Sequence, residues 1–222
     1  MKTLKNIFAK TLMVLSLLAV FASCKKDKEA KPEDNFDPTK YYITGEGADK
    51  GADNYSTSYA IILKPNAMGY FTAWGGSYEG SFNYKYENGT LKCDDIGVAF
   101  TIVNNAITAT SNPQYKSFHL QKIPDADAFA GKTFRGTVAK NGVNNGVSCQ
   151  IQYTTNGKFI LQIDGFLQTV AAGDDYTLQN NGIATANTGN EGRLHLMTIA
   201  DGKLYYSQNI GNTKYYGILP LK

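Results

Sequence analysis

The sequence contains two histidines, His119 and His195, which are the first residues to consider as catalytic groups or metal ligands. Two imidazoles can bind a haem iron or transfer protons when both rings face one site. Each histidine lies beside apolar residues on a predicted strand, at positions that do not correspond in the two halves of the chain. We therefore expect two isolated surface histidines, with a His119/His195 pair on a haem as the alternative.

Cys93 and Cys149 are the two cysteines that could act as nucleophiles in the body of the chain. A reactive thiolate needs a polarising neighbour such as histidine, and neither cysteine has one nearby in the sequence. Cys93 shares the apolar side of its predicted strand with Leu91, and Cys149 shares one with Ile151. The pattern predicts two buried thiols, and a disulfide between the two halves is the alternative.

Acidic residues occur in adjacent pairs in predicted loops, at Asp94-Asp95 and at Asp174-Asp175. A glycosidase needs two carboxyls that face each other across a cleft, whereas the side chains of neighbouring residues point apart. Asp125-Ala126-Asp127 starts like a calcium loop but lacks the central glycine and the closing glutamate of that motif. The sequence therefore predicts that the protein is not an enzyme and binds no metal or cofactor.

Trp74-Gly75-Gly76 is the most distinctive candidate binding segment, since it contains the single tryptophan of the chain. The two glycines would allow the indole to stay exposed, and Tyr78 follows close by. An exposed indole can stack on a sugar ring or cover the mouth of a small barrel. We therefore predict Trp74 and Tyr78 as ligand-binding residues, with a tryptophan buried inside a small barrel as the alternative.

The first 23 residues have the three parts of a secretory signal. Three lysines within the first ten residues precede an apolar run over residues 11–21, which is too short for a stable membrane span. The run ends in Phe21-Ala22-Ser23-Cys24, which resembles the lipobox of bacterial lipoproteins, with Phe21 in place of the commoner leucine. The resemblance implies that residues 1–23 are removed and that Cys24 is acylated, so that the lipid bilayer is the first partner of the mature protein.

Residues 24–40 follow as a charged segment with almost no large apolar side chains, which predicts a flexible tether. Within it, Lys26, Asp27 and Glu29 resemble the export signal of surface-displayed lipoproteins from Bacteroidota-type bacteria, although Lys28 departs from that signal. This resemblance implies a lipid-anchored position in the outer membrane, with display on the cell surface or in the periplasm.

The charge of the mature chain argues against nucleic acid as a partner. The whole chain carries 22 Lys+Arg and 19 Asp+Glu. Three of the lysines lie in the signal, and its removal leaves 19 basic residues against 19 acidic ones. A nucleic-acid-binding protein keeps an excess of basic residues along one face, and the balanced composition gives no sign of such an excess.

The remainder of the chain has the pattern of short antiparallel strands. Over residues 78–87, aromatic and apolar side chains alternate with charged and polar ones, which is the period of a half-buried strand. Asn88-Gly89 and Asp201-Gly202 are typical of two-residue hairpin turns, whose positions favour positive φ. Residues 98–124 and 194–222 share one order of strand, turn, strand, loop and strand. We therefore predict an all-β fold of two tandem antiparallel repeats, each a β-barrel or β-sandwich of about eight short strands.

The first repeat is predicted to cover residues 41–124 and the second residues 125–222. Residues 131–137 resemble the first strand of lipocalin-like small-barrel lipoproteins, although the usual tryptophan is absent. Because the chain has no catalytic set and no charge bias, we expect a membrane-anchored, non-catalytic binding module for a small apolar ligand or a glycan. The alternative is a structural or protein-interaction lipoprotein, either an accessory to an outer-membrane complex or an enzyme inhibitor.

Overall fold

Alternating apolar and polar residues form strands along nearly all of the described chain. The computed structural model describes residues 36–48, 55–73, 78–189 and 192–222. The regular structure of those residues consists of β-strands and of short 3-10 turns at Pro38–Lys40 and Asp94–Ile96, without an α-helix. The predicted all-β fold class is therefore confirmed.

The described residues of the first repeat form nine antiparallel strands in two sheets. In chain order they are β1 (Tyr41–Ala48), β2 (Ser56–Lys64), β3 (Met68–Ala73), β4 (Tyr78–Asn83), β5 (Lys85–Glu87), β6 (Thr90–Cys93), β7 (Val98–Val103), β8 (Ala106–Thr110) and β9 (His119–Lys122). One sheet has the order β4-β3-β2-β1-β9, and the other has the order β5-β6-β7-β8.

These two sheets face each other as a sandwich around one apolar core. Ile43 of the first sheet and Leu91 and Phe100 of the second are fully buried in that core. The single strand predicted over residues 78–87 is in fact two strands, because the chain bends at Tyr84 and passes from one sheet to the other. The alternation continues through the bend, since both sheets turn their apolar side towards the same core.

The described residues of the second repeat form ten antiparallel strands in one sheet. In chain order they are β10 (Thr133–Lys140), β11 (Val143–Tyr153), β12 (Lys158–Ile163), β13 (Phe166–Leu167), β14 (Asp174–Asp175), β15 (Thr177–Asn180), β16 (Ile183–Thr188), β17 (Arg193–Ala200), β18 (Lys203–Ile210) and β19 (Thr213–Pro220). The order is β13-β12-β11-β10-β19-β18-β17-β16-β15, and β14 also pairs with β12.

This sheet curves around its own apolar face. Phe134 of β10, Leu161 of β12 and Tyr206 of β18 are buried in one core, although they lie on strands far apart in the sheet. Asp174-Asp175, expected in a loop, is strand β14 and pairs with β12, whereas β15 directly after it pairs with β16. The continuous segment of β14 and β15 therefore pairs first with β12 and then with β16. Its partner strand changes at Tyr176, and the sheet does not close into a barrel.

The two repeats share a connectivity. In each repeat the last strand pairs with the first, β9 with β1 and β19 with β10. In each, one extended segment changes its partner strand at a tyrosine, Tyr84 in the first repeat and Tyr176 in the second. The predicted boundary between residues 124 and 125 falls in the connection from β9 to β10. Phe36–Lys222 as a whole forms one compact unit.

The repeats pack through the outer faces of β1 and β2 against those of β17 and β18, a contact that we term the repeat junction. Thr44 Oγ1 lies 2.6 Å from Thr198 Oγ1, and Ser58 Oγ lies 2.6 Å from Ser207 Oγ. Because this contact covers the outer face, seven of the nine residues of β2 are buried. The apolar residues of the junction are Tyr42, Ala60, Ile62, Ile183 and Leu196.

The two repeats are aligned so that they share the same two ends. The chain enters this unit at Phe36, whose ring centroid lies 4.9 Å from those of Tyr41 and Tyr86. Tyr42 in β1 donates a hydrogen bond to the carbonyl of Ile199 in β17, so β1 begins at the end where β17 finishes. The opposite end, where strands β1, β3, β10, β12, β16 and β18 finish, is termed the distal end.

Candidate functional site

A small cleft opens at the distal end, where the repeat junction reaches the surface. It has room for roughly one water molecule. The residues that line this distal cleft are Tyr55, Ser56, Thr57, Ser207, Gln208, Asn209, Lys214 and Tyr215.

The distal cleft is built by the start of β2 and by the hairpin of β18 and β19. Along β18, Tyr206 is buried in the core of the second repeat, so the alternation places its neighbour Ser207 on the outer face towards the first repeat. Tyr55 packs on the turn after β10, where a Cβ atom on Gly142 would lie 2.3 Å from Cδ1 of Tyr55. The φ of +72° at Gly142 also favours glycine, so this residue permits the close contact that forms the rim.

The lining of the cleft offers aromatic rings together with neutral hydrogen-bonding groups. Lys214 Nζ lies 6.0 Å from the ring centroid of Tyr55, within the range of a cation–π contact. Serine and threonine residues, together with Gln208 and Asn209, complete the lining. Rings that stack and neutral groups that donate and accept hydrogen bonds suit a ligand with several hydroxyl groups.

A carboxylate that bonds to a residue of the cleft ties three elements together. Glu46 accepts hydrogen bonds from Ser56 Oγ at 2.5 Å and from the Tyr216 hydroxyl at 3.3 Å, and Lys116 Nζ lies 3.5 Å away. Burial, followed by the charge of Glu46, raises the pKa of Tyr216 far above its ordinary value, so this hydroxyl stays a donor. The network holds Ser56, which lines the cleft, and contains no activated nucleophile.

His119 lies at the repeat junction in a chain of three polar side chains. Its Nδ1 is 2.7 Å from Oδ2 of Asp201, and its Nε2 is 2.8 Å from the hydroxyl of Tyr205. Burial is the main cause that raises the pKa of Tyr205. A nucleophilic phenol would instead need a lowered pKa. The prediction of an isolated His119 is therefore wrong: the residue joins β9 of one repeat to the β17–β18 hairpin of the other.

His195 is fully buried in the second repeat, so its predicted position at the surface is also wrong. Its Nε2 lies 2.9 Å from Thr188 Oγ1, and its Nδ1 lies 3.1 Å from the hydroxyl of Tyr206. Burial, followed by the charge of Arg193, lowers its pKa to about 3, so the ring is neutral. Sequence reasoning assumed one wet face for β17, but the junction covers the outer face and the core covers the inner one.

The two histidines cannot share a haem, because they face opposite sides of the same sheet. His119 bonds to Tyr205 and His195 bonds to Tyr206, and successive residues of β18 point to opposite faces. Among the described residues, no group of three or more His, Cys, Asp or Glu side chains is placed to hold a metal ion.

Cys93 and Cys149 are free and buried, each in the core of its own repeat. The prediction of two buried thiols is confirmed, and the alternative of a disulfide is wrong because the cores are separate. Burial raises the pKa of both thiols to about 12, so neither is ionised at neutral pH.

The predicted acidic pairs have structural partners. Asp95 accepts a hydrogen bond of 2.9 Å from the backbone nitrogen of Asn83, and Asp175 forms an ion pair of 2.9 Å with Lys158. These contacts fix β4 and β14 in place and leave neither pair facing a second carboxylate across the distal cleft.

Of the residues predicted for ligand binding and lipidation, the structure describes only the backbone of Tyr78. Trp74 and Cys24 lie outside the described residues. Tyr78 begins β4, and its side chain is not described. The described strand β3 ends at Ala73 at the distal end, where the cleft also opens.

Sequence reasoning did not identify Tyr55, Lys214 and Tyr215 as candidate binding residues. These residues come together only when the two repeats pack, and spacing along the chain gives no sign of that contact. One signal was available: residues 56–63, STSYAIIL, carry small or apolar groups at both alternating sets of positions, which is typical of a strand covered on both faces.

No helix among the residues that the structure describes is both long and apolar enough to cross a membrane. Comparison of the chain with protein-family models, with curated proteins and with solved structures gives no match in any of the three.

Proposed function

We propose that this chain is a lipid-anchored outer-membrane lipoprotein that acts as a non-catalytic binding module for a glycan. The observation that carries the proposal is the distal cleft, in which tyrosine rings, hydroxyls and amides surround a small opening. The cleft lies at the end opposite Phe36, where the chain from Cys24 enters the β body.

The size of the cleft argues against a small apolar ligand. An apolar molecule is usually held in a pocket of roughly 300 Å³ or more with mostly hydrophobic walls. The distal cleft has room for roughly one water, so it is too small to enclose such a molecule. A glycan needs no deep cavity, because it can lay one ring on Tyr55 or Tyr215 and insert a single hydroxyl between the repeats.

The proposed anchor would present the cleft away from the membrane. An extended chain from Cys24 to Phe36 spans at most roughly 40 Å. Acyl chains on Cys24 would hold that segment at the bilayer, since each buried methylene contributes about 0.8 kcal/mol. The body would then be attached through its Phe36 end, with the distal cleft exposed to extracellular or periplasmic glycans.

Binding of the full chain to an array of bacterial and host glycans tests the proposed ligand class. We expect Tyr55→Ala to weaken binding to the selected glycan about tenfold, through loss of a stacking surface. Tyr70→Ala is the matched control, because Tyr70 is also half-buried, with Lys64 Nζ at 5.4 Å from its ring centroid, but does not line the cleft. An array without any bound glycan, or equal losses in both variants, would contradict the proposal.

Metabolic labelling with radioactive palmitate tests the anchor separately. We expect the wild-type chain to incorporate label and to fractionate with outer membranes. Cys24→Ser removes the only acceptor thiol of the proposed lipobox, so this variant is expected to carry no label and to leave the membrane fraction. A Cys24→Ser protein that still fractionates with membranes would overturn the localisation but not the glycan site.

The alternative function, a protein-interaction lipoprotein, is favoured by one exposed apolar group. Phe166, Leu167 and Val170, in the segment after β12, are 71%, 45% and 59% exposed. Exposed apolar clusters often mark protein contacts. This alternative predicts that the glycan array stays negative and that Phe166→Ser removes a co-purifying outer-membrane protein of defined stoichiometry.

A further inference from the structure

The segment that follows β12 turns apolar side chains to the solvent and a polar side chain inwards. Phe166, Leu167 and Val170 are 71%, 45% and 59% exposed. Thr169, which lies among them, is buried, and the two alanines after Val170 are exposed. No residue of the stretch 165–173 carries a charge. We term residues 165–173 the apolar loop, because its exposed side chains are all apolar.

Hydrogen bonds hold the apolar loop in this orientation. The backbone nitrogen of Gln168 donates to the carbonyl of Leu161 at 2.8 Å, and the nitrogen of Leu161 donates to Thr169 Oγ1 at 3.2 Å. Arg193 Nη1 donates to the carbonyl of Gln168 at 2.7 Å. Because these bonds fix Thr169 on the inner side, its apolar neighbours stay on the outer side. The exposure of the loop therefore follows from a fixed backbone.

The area of the apolar loop is small for a stable contact with a protein surface. A full aromatic side chain offers about 200 Å², so the exposed parts of Phe166, Leu167 and Val170 offer roughly 300 Å² together. Two copies of the loop packed face to face would bury roughly 600 Å², whereas stable protein interfaces bury about 1,200–2,000 Å². A lipid bilayer has no fixed surface to match, and a small apolar group can insert between its headgroups.

The charges that border the loop favour lipids without net charge. Asp164 precedes the loop, and Asp174 and Asp175 follow it. Asp175 is paired with Lys158 at 2.9 Å. Acidic groups at both borders are repelled by anionic headgroups, so insertion has to be driven by apolar area rather than by charge. A zwitterionic bilayer is therefore the lipid surface that fits.

The tether is long enough for the loop to reach the bilayer that holds Cys24. The loop lies beside the far end of β12, a strand of 6 residues that rises roughly 20 Å from the Phe36 end. An extended chain from Cys24 to Phe36 spans at most roughly 40 Å. The body can therefore tilt until the loop meets the membrane surface.

We propose that the apolar loop inserts into a zwitterionic bilayer and forms a second membrane contact beside the acylated Cys24. This inference rests on the proposed anchor but not on the proposed glycan. In the sheet order β13 lies five positions from β18, on which the first repeat packs. Because the sheet curves around its core, a bilayer under the loop leaves the repeat junction and the distal cleft on the opposite side of the second repeat.

A fluorescent label at position 170 measures the insertion in the lipidated full chain. Cys93 and Cys149 are buried, and Cys24 would be acylated, so Val170→Cys supplies the single thiol for a nitrobenzoxadiazole dye. Val103→Cys is the matched control, because Val103 is also an exposed valine, at 49%, but lies on β7 of the first repeat. Both labelled proteins are reconstituted in phosphatidylcholine vesicles, with or without a lipid that carries a quenching nitroxide on its acyl chain.

We expect the nitroxide lipid to lower the fluorescence of the label at position 170 about twofold and to leave the label at position 103 unchanged. Adding Phe166→Ser and Leu167→Ser is expected to remove the quenching. Raising sodium chloride from about 0.1 M to 0.5 M is expected to preserve it, because screening weakens only charge-driven binding. Equal quenching at both positions, or quenching that survives the two serine substitutions, would overturn the insertion. A label at position 170 that lipid leaves unquenched but a co-purifying protein shields would overturn it in favour of a protein partner.

Flotation of the same vesicles separates this inference from the proposed anchor. Vesicles that float without the labelled protein would show that the anchor is missing and would overturn both proposals. Vesicles that carry the protein but do not quench the label at position 170 would overturn the insertion alone. Phe166→Ser is expected to leave glycan binding on the array unchanged, because Phe166 does not line the distal cleft.

Discussion

His195 is a buried residue whose ionisation is strongly coupled to the folded state. In the folded protein its imidazole bonds to Thr188 and Tyr206 and lies 5.3 Å, between ring centroids, from Phe159. A proton added there would place a charge in an apolar core beside the positive Arg193, which is why burial and that charge lower the pKa. Folding therefore favours the neutral ring, and acid is expected to oppose folding at this residue.

We predict that the free energy of unfolding decreases as the pH falls below about 6.5, which is the ordinary pKa of histidine in the unfolded chain. The folded pKa of His195, about 3, is lower than the unfolded value, so the unfolded chain takes up the proton first. The stabilisation is complete above pH 6.5 and is lost as the pH falls towards 3, by about 1.4 kcal/mol per pH unit. Urea unfolding between pH 7 and pH 5 measures this slope.

His195→Gln is the matched variant, because a glutamine amide can still bond to Thr188 and Tyr206 but does not titrate. The difference in unfolding free energy between wild type and His195→Gln should shrink as the pH falls, since other titrating groups contribute equally to both proteins. A difference that stays constant from pH 7 to pH 5 would contradict a neutral, buried His195.

For single residues, the sequence correctly predicted the burial of the two thiols but not the surroundings of the two histidines. Cys93 and Cys149 lie on strands whose apolar sides face a core within one repeat, so local alternation was sufficient to predict their burial. The surroundings of His119 and His195 depend on the contact between repeats, which alternation within a strand does not encode.

At the scale of single elements, the turn between β15 and β16 shapes the repeat junction. Gly182 lies in that turn against the phenol of Tyr42, and a Cβ atom there would lie 2.3 Å from the Tyr42 hydroxyl oxygen. The same hydroxyl donates to the carbonyl of Ile199 at 2.5 Å and is buried between the repeats. The turn therefore requires a residue without a side chain to let Tyr42 reach its acceptor.

We predict that Gly182→Ala lowers the free energy of unfolding by about 1–3 kcal/mol, because the added methyl group overpacks the junction. Gly80→Ala is the control: Gly80 is exposed in β4, and a Cβ atom there would have nothing within 4 Å. Chemical denaturation of both variants measures the effect. Equal stability of Gly182→Ala and wild type would mean that Tyr42 is not held against this turn.

The sequence predicted hairpin turns better than strand ends. Asn88 and Asp201 have φ of 49° and 50°, as the hairpin motifs Asn88-Gly89 and Asp201-Gly202 require. The break at Tyr84 was not predictable from the period, because Phe82 and Tyr86 turn towards one core on either side of the bend. A period of two identifies the buried face of a strand, but it does not show where the strand leaves one sheet for another.

At the scale of the whole molecule, the repeat junction makes the stability of each repeat depend on the other. Two buried hydroxyl pairs, Thr44 with Thr198 and Ser58 with Ser207, cross it, and the apolar residues of both repeats cover them. Separation of the repeats would expose these hydroxyls and the surrounding apolar surface to water. Each repeat is therefore expected to lose stability when the other unfolds.

We predict that both repeats unfold in one cooperative transition, since Phe36–Lys222 forms one compact unit. Pulsed alkylation along a urea gradient measures this directly, because Cys93 reports the core of the first repeat and Cys149 that of the second. The two thiols should become reactive at the same urea concentration. Two separated midpoints would show that the repeats are independent domains.

The sequence predicted the overall class, but not which strands pair within each repeat or how the repeats pack. Strand periodicity and turn motifs are local, and they were enough for an all-β fold. The junction depends on small side chains on outer faces, such as Thr44, Ser58 and Ser207, which look like solvated positions in the sequence. The distal cleft lies on that junction, so its position could not be predicted either.

We propose that the distal cleft between the two repeats binds a glycan. Hydrogen–deuterium exchange of the full chain, with and without the glycan selected on the array, measures where that glycan binds. We predict slower exchange in residues 55–57, 207–209 and 214–215, which line the cleft, and unchanged exchange in β6 and β7. Unchanged exchange in the cleft segments, or protection centred on Phe166 and Leu167, would contradict it.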